Sequence, residues 1–324
     1  MNEQLIITTS PHFKHPTTTQ RIMLDVLIAL SPAVIASVII HGWYALVMIA
    51  VTTLFAVGSE FIFNICVKKT QTISDLSSAV TGVLLALNLP TSTEIWQCAV
   101  GAIFAIVVVK CLFGGIGKNF ANPAITARVL MLLAFAEVAG GQLGGNPFVE
   151  GSHADLIAGA TPLVNIDKLS PEMFFKVTPS IPEMLLGLRA GAIGEGCIVA
   201  LVLGGIYLIV RRVIKWEVPV AFIGTVYLLS WLITGNALLA LYYILSGGLF
   251  IGAIFMATDY STTPLNRLGK LVFAIGAGLL TVLIRFFGNY PEGVSFAILI
   301  MNILSPYIEK LCAKRPFGGA KNEK

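Results

Sequence analysis

The chain has 324 residues, of which 56% are hydrophobic and only 12% charged, and a formal net charge of +4. A soluble domain carries about 25% charged residues. Half that share excludes an ordinary soluble enzyme, and the small positive balance gives no footing for nucleic acid, so the predicted class is an all-α integral membrane protein in contact with lipid.

Residues 1–22 are polar, carry no secretory signal, and form a predicted cytoplasmic segment, so the first span doubles as the insertion signal. Apolar runs long enough to cross a bilayer, about 20 residues each, are read at 23–40, 42–66, 74–90, 94–113 and 123–138. A second set lies at 186–210, 217–234, 237–257, 268–287 and 293–311. The chain thus divides into a first transmembrane half (23–138), an outer loop (139–185), a second half (186–311) and a tail (312–324).

Threading these ten spans from a cytoplasmic N-terminus places Lys14, Arg21, Lys68, Lys69, Lys118, Arg211, Arg212, Lys215, Arg267, Lys270, Lys310, Lys314, Arg315, Lys321 and Lys324 inside. Only Lys168, Lys176, Arg189 and Arg285 fall outside. Cationic loops stay on the cytoplasmic side, so both termini are expected inside a bacterial or archaeal cytoplasmic (inner) membrane.

Several spans carry polar or Gly-rich interruptions: 74–82, 114–123, Ser246-Gly-Gly248 and 256–259. Irregular backbone at membrane depth requires surrounding protein or a water-filled cavity. One such region in each half suggests an inverted repeat with broken helices and a midplane site.

The outer loop is rich in Gly, Pro, Ser and Asp, and loops beyond about 12–15 residues usually carry function. It contains Asp155, then Gly159, Ala160 and Thr161, followed by Pro162. This resembles the signature read by the flavin transferase: an acidic residue, two variable positions, Ser or Thr, then Gly-Ala-Thr. The resemblance implies FMN esterified through its phosphate to the Thr161 hydroxyl. Gly159 and Ala160 keep the backbone clear, and Pro162 stiffens the backbone after the acceptor. Ala158 departs from the pattern, standing where Ser or Thr is usual.

Three further segments, 74–90 (SDLSSAVTGVLLALNLP), 114–124 (GGIGKNFANPA) and 255–259 (FMATD), resemble in their order the family of the Rnf complex D subunit and the B subunit of the sodium-pumping NADH:quinone oxidoreductase. The similarity runs from about residue 11 to 312, and the short N-terminus favours the Rnf type. It implies an electron-carrying membrane subunit of an ion-translocating ferredoxin:NAD+ oxidoreductase, a translocase that moves Na+ or H+. It implies covalent FMN, and leaves room for a non-covalent riboflavin that no residue locates. The implied partners are the A, B, C, E and G subunits, and the transferase during maturation. The quinone-reducing relative is the nearer alternative; a flavin-free channel or secondary transporter for a small polar solute is the alternative of another class.

Ionisable groups within spans are costly and default to function. Asp25, Asp75 and Asp259 sit near span ends, where capping competes with an ion-path role, while Glu60 lies deeper. Arg128, inside the fifth span, is open to three partners: Glu60, the FMN phosphate or backbone carbonyls. Asn88 is read as a cap at the third span's end, and Asn119 and Asn122 as flanking a turn. Trp43, Tyr44, Trp96, Trp216 and Tyr290 fit an interfacial belt. The five cysteines and four histidines show no metal-ligand spacing, and the cysteines are read as small buried hydrophobes.

Overall fold

A computed structural model describes residues 18–135, 180–187, 191–288 and 293–313. Every predicted span contains a helix, because a backbone in lipid can satisfy its own polar groups only that way. In chain order they are α1 (Thr19–His41), α2 (Trp43–Cys66), α3 (Ser77–Leu87), α4 (Ile95–Ile103) and α5 (Pro123–Ala134). There follow α6 (Ile181–Leu186), α7 (Ile198–Val210), α8 (Glu217–Thr234), α9 (Ala237–Leu245), α10 (Leu249–Ile251), α11 (Arg267–Phe287) and α12 (Val294–Leu311). α4 continues into a π-helix at Phe104–Cys111, and α10 into another at Gly252–Met256.

Length separates these elements. Among the described residues, α1, α2, α8, α11 and α12 are long and apolar enough to cross a membrane. α9 and α10 with its π-turn make a sixth candidate, bent by 68°. α3, α5 and α7 have 11, 12 and 13 residues, or about 16–20 Å at 1.5 Å per residue, well short of a bilayer. Beside the sequence expectation of ten full spans, the described residues hold five long helices, a bent pair and shorter apolar helices packed among them. The predicted span 186–210 is corrected. Its helix starts only at Ile198, after a 3-10 turn at Ile193–Glu195 in which Gly194 and Gly196 disfavour a continuous helix.

Glycine sets the closest helix contacts. A Cβ on Gly82 of α3 would lie 2.7 Å from the Thr53 Cα of α2, and one on Gly204 of α7 would lie 2.1 Å from the Ala29 carbonyl oxygen of α1. Small residues let membrane helices approach backbone to backbone. The α1–α7 contact joins the two halves; α2–α3 and α8–α11 are the tight packings within them. Facing away from this core are Ile39 (78% exposed), Leu54 (70%) and Leu232 (73%), an outer surface suited to acyl chains rather than water.

Candidate functional site

Where α1, α3 and α5 begin, the helix ends surround a cleft of about 90 Å³, room for several waters. Its walls are Ile22, Met23 and Val26 of α1, Ser77, Thr81 and Leu84 of α3, Lys110 of the first π-helix, and Asn119 and Asn122 of the following turn. Phe255, Thr258, Asp259, Tyr260 and Ser261 close it from the second half. Three of the interrupted segments singled out in the sequence, 74–82, 114–123 and 256–259, meet here, while Ser246–Gly248 lies away from the cleft.

Local chemistry explains each wall. Asp75 Oδ1 accepts from the Ser77 backbone N–H at 2.9 Å and the Ser77 hydroxyl at 2.6 Å, which starts α3 after Leu76 has turned through a left-handed φ of 62°. Asn122 Oδ1 accepts from the Ala124 N–H at 3.0 Å, and Pro123 occupies the first turn of α5 where no N–H is needed. Asp259, in the connection beyond the π-helix, accepts from the Ser261 and Thr262 hydroxyls at 2.9 and 3.2 Å. Burial pushes the Asp259 carboxyl above the usual carboxylate range, against the opposing pull of those hydrogen bonds. Asn119 Oδ1 is buried without a hydrogen-bond partner among the described residues. The cleft therefore offers a carboxylate, hydroxyls and an amide oxygen, the hard donors that a small cation or a hydrogen-bonded water chain requires.

Beside the cleft, Glu60 of α2 forms an ion pair with Lys110 at 2.8 Å, both side chains being 2% exposed. Ser78 and Thr72 also donate to Glu60, and Lys110 donates to Ser77 and Ser78 at 2.6 and 2.9 Å. The π-turn around Lys110 follows an i→i+5 register and re-aims the residues beyond it, a device common at functional sites. The sequence marks Glu60 as the deep acid and offers Arg128 as its partner; the partner that accounts for it is Lys110. Arg128 itself is 2% exposed in α5.

Asp25 is bound rather than free. Arg211 Nη2 donates to both its oxygens at 3.2 Å and Tyr207 donates at 3.0 Å, tying α1 to α7. Asn88 caps as expected, its amide donating to the Leu84 carbonyl at 2.6 Å. Arg285, which the threading assigns to the outer side, is buried at the end of α11, where it donates to the carbonyls of Tyr243 and Ser246 at 2.7 and 3.1 Å. Those carbonyls lose their helical partners at the break after α9, and the guanidinium replaces them. Tyr44 also departs from the interfacial belt: it is 7% exposed and donates to the Thr93 carbonyl at 2.7 Å. Trp43, Trp96 and Trp216 are exposed, at 75%, 54% and 55%. Cys98 and Cys111 are buried, whereas Cys66 is exposed.

The attachment motif, with Asp155, Gly159, Ala160, Thr161 and Pro162, lies outside the described residues, as does Tyr290. Sequence reasoning missed Lys110 and Glu195. Lys110 is a cation inside an otherwise apolar run, a signal by itself; Glu195 was hidden by the assumption of one continuous span.

The chain matches the model of the NQR2, RnfD, RnfE family over residues 6–318. It is 37% identical over 327 residues to the D subunit of the Na(+)-translocating ferredoxin:NAD(+) oxidoreductase complex of Acetobacterium woodii, covering 100% of this chain and 99% of that protein. It is 38% identical to the D subunit of the proton-translocating ferredoxin:NAD(+) oxidoreductase complex of Clostridium ljungdahlii, over 96% of each chain. It is 35% identical to the D subunit of the ion-translocating oxidoreductase complex of Stutzerimonas stutzeri, over 93% of each. With a family match across nearly the whole length and relatives of this identity at full coverage, the chain belongs to the NQR2, RnfD, RnfE family.

Proposed function

We propose that this chain is the D-type membrane subunit of an ion-translocating ferredoxin:NAD+ oxidoreductase, and that it couples electron passage to movement of Na+ or H+. The observation that carries the reading is the full-length similarity to subunits bearing that activity in their names. The partners are the other subunits of that complex, since the relatives are named as its D subunits, and the setting is the inner membrane. In this reading the charge asymmetry puts the cleft inside and residues 139–185 outside, and the two irregular regions descend from an inverted repeat.

FMN esterified to Thr161 would supply one-electron and two-electron chemistry at the outer face. Its acceptor is an alcohol, which forms the required phosphoester, and Asp155, Gly159, Ala160 and Pro162 frame it for the transferase. Arg128 is the candidate cation for a phosphate within the membrane. A riboflavin in the membrane part remains part of the family expectation.

On the ion side, Asp259 is the carboxylate that faces the cleft, with its hydroxyl partners already in place. Glu60 is neutralised by Lys110, Asp75 starts α3, and Asp25 holds α7. The proposed ion path therefore enters at Asp259 and passes Ser77 and Thr81, while the Glu60–Lys110 pair sets the potential beside it. The test is ion uptake into inverted vesicles containing the complex, driven by ferredoxin oxidation. Uptake that follows electron flow and is lost in D259N with flavin retained supports the reading. Electron flow without ion movement in the unaltered complex contradicts it.

A further inference from the structure

The bent span α9–α10 sits between two buried charges of opposite sign. At the carbonyl end of α9, Arg285 takes the Tyr243 and Ser246 oxygens at 2.7 and 3.1 Å. At the N–H end of α10, the Glu195 carboxylate, 4% exposed, lies so close that a Cβ on Gly248 would be 2.9 Å from its Oε1. A cation at a helix C-terminus and an anion at a helix N-terminus each complement the local dipole. Each charge thus stabilises one half-helix end, and together they stabilise the interruption.

The segment that carries Glu195 has other holds. Ile193 donates to the Leu89 carbonyl at 3.0 Å, Pro90 pairs with Ala192, and a Cβ on Gly194 would be 2.5 Å from the Leu87 Cβ. It therefore rests on the end of α3 as well as on the break. Just before it in the chain, Met184 of α6 is fully buried in a small apolar cluster with Leu239, Tyr242 and Tyr243 of α9. On the far side, α10 and its π-turn run to Met256, whose sulfur meets the Asn88 amide at 3.8 Å, three residues before Asp259.

We propose that Glu195 and Arg285 are positioning residues that hold α9 and α10 as two half-helices, and that α6, packed on α9, and the Ile193–Glu195 turn, packed on the end of α3 and the start of α10, thereby set how α10 reaches the Asp259 cleft. This rests on the redox-driven reading for its consequence, not for its geometry. Displacement of α6 or Glu195 shifts the start of α10, and a helical rod of about 12 Å carries that shift to the cleft. Neither residue lines the cleft.

The experiment uses the whole complex in inverted vesicles, with E195Q, R285Q, G248A and R285K. G248A keeps both charges but intrudes on the carboxylate. Two quantities are read: amide hydrogen exchange over residues 243–256, and ions moved per electron. The expected result is exchange faster by roughly tenfold in E195Q, R285Q and G248A, with fewer ions per electron, electron flow retained, and partial recovery in R285K. Assembled variants with unaltered exchange would overturn the proposal. Faster exchange with an unaltered ion ratio would overturn the link to the cleft. If the unaltered complex moves no ions during electron flow, the redox-driven reading fails instead, and exchange alone still judges whether the two charges hold the break.

Discussion

At the scale of single residues, the decisive pair is Glu60 and Lys110. Desolvating both charges costs several kcal/mol each, offset only by the short contact and the hydroxyls around it. K110M strands the carboxylate and is expected to destabilise the protein by about 3–5 kcal/mol. The double variant E60M/K110M should recover most of that, as read by thermal unfolding in detergent. A K110M protein as stable as the parent would mean that the pair is solvated. Asp259 behaves differently, because its partners are neutral hydroxyls. Protonation removes the charge a cation would meet, so cation uptake should fall as pH drops through its raised titration range. D259N should remove both the uptake and that dependence. Of these residues, the acids were legible in sequence because an intramembrane carboxylate is conspicuous. Their partners were not: Lys110 lies 50 positions from Glu60 and Arg211 lies 186 from Asp25, and only packing brings them together.

At the scale of elements, the cleft depends on where short helices begin. N122A removes the cap of α5 and is expected to cost about 1 kcal/mol, with faster exchange in the first turn that lines the cleft. G82A places a methyl against the α2 backbone and should cost about 1–3 kcal/mol through overpacking; a neutral result would show that α2 and α3 can separate freely. Helix existence was readable from apolar runs and from signals such as Asn122-Pro123. Helix length was not. Residues 74–90 are apolar enough for a span, yet Asp75 takes the Ser77 N–H and delays the helix, and the chain turns at Leu89–Pro90 toward Ala192. The stretch 186–210 read as one span because hydropathy averages over glycine, while the backbone freedom of glycine breaks the helix locally. Arg285 was legible as a cation near a predicted span end, but its role was not: its guanidinium satisfies carbonyls freed by a break that only the folded chain reveals.

At the scale of the molecule, the two halves meet along α1 and α7, the Gly-rich contact reinforced by Asp25–Arg211, and the cleft draws walls from both. The loop charges predict the sidedness: an impermeant thiol reagent in intact cells should label S152C, and protection would place the 139–185 segment inside. The membrane class was legible from composition alone, and the family from three short segments in order, whereas the assembly of those segments around one cleft was a property of the fold.

The claim on which the functional account turns is that Thr161 carries flavin. The most direct measurement is the intact mass of the purified chain after co-expression with the flavin transferase, followed by peptide mapping. The account predicts a gain of one FMN less one water, located on the peptide containing Thr161 and absent from T161A. An unmodified chain under those conditions would contradict it, leaving a membrane subunit that moves ions without carrying covalent flavin of its own.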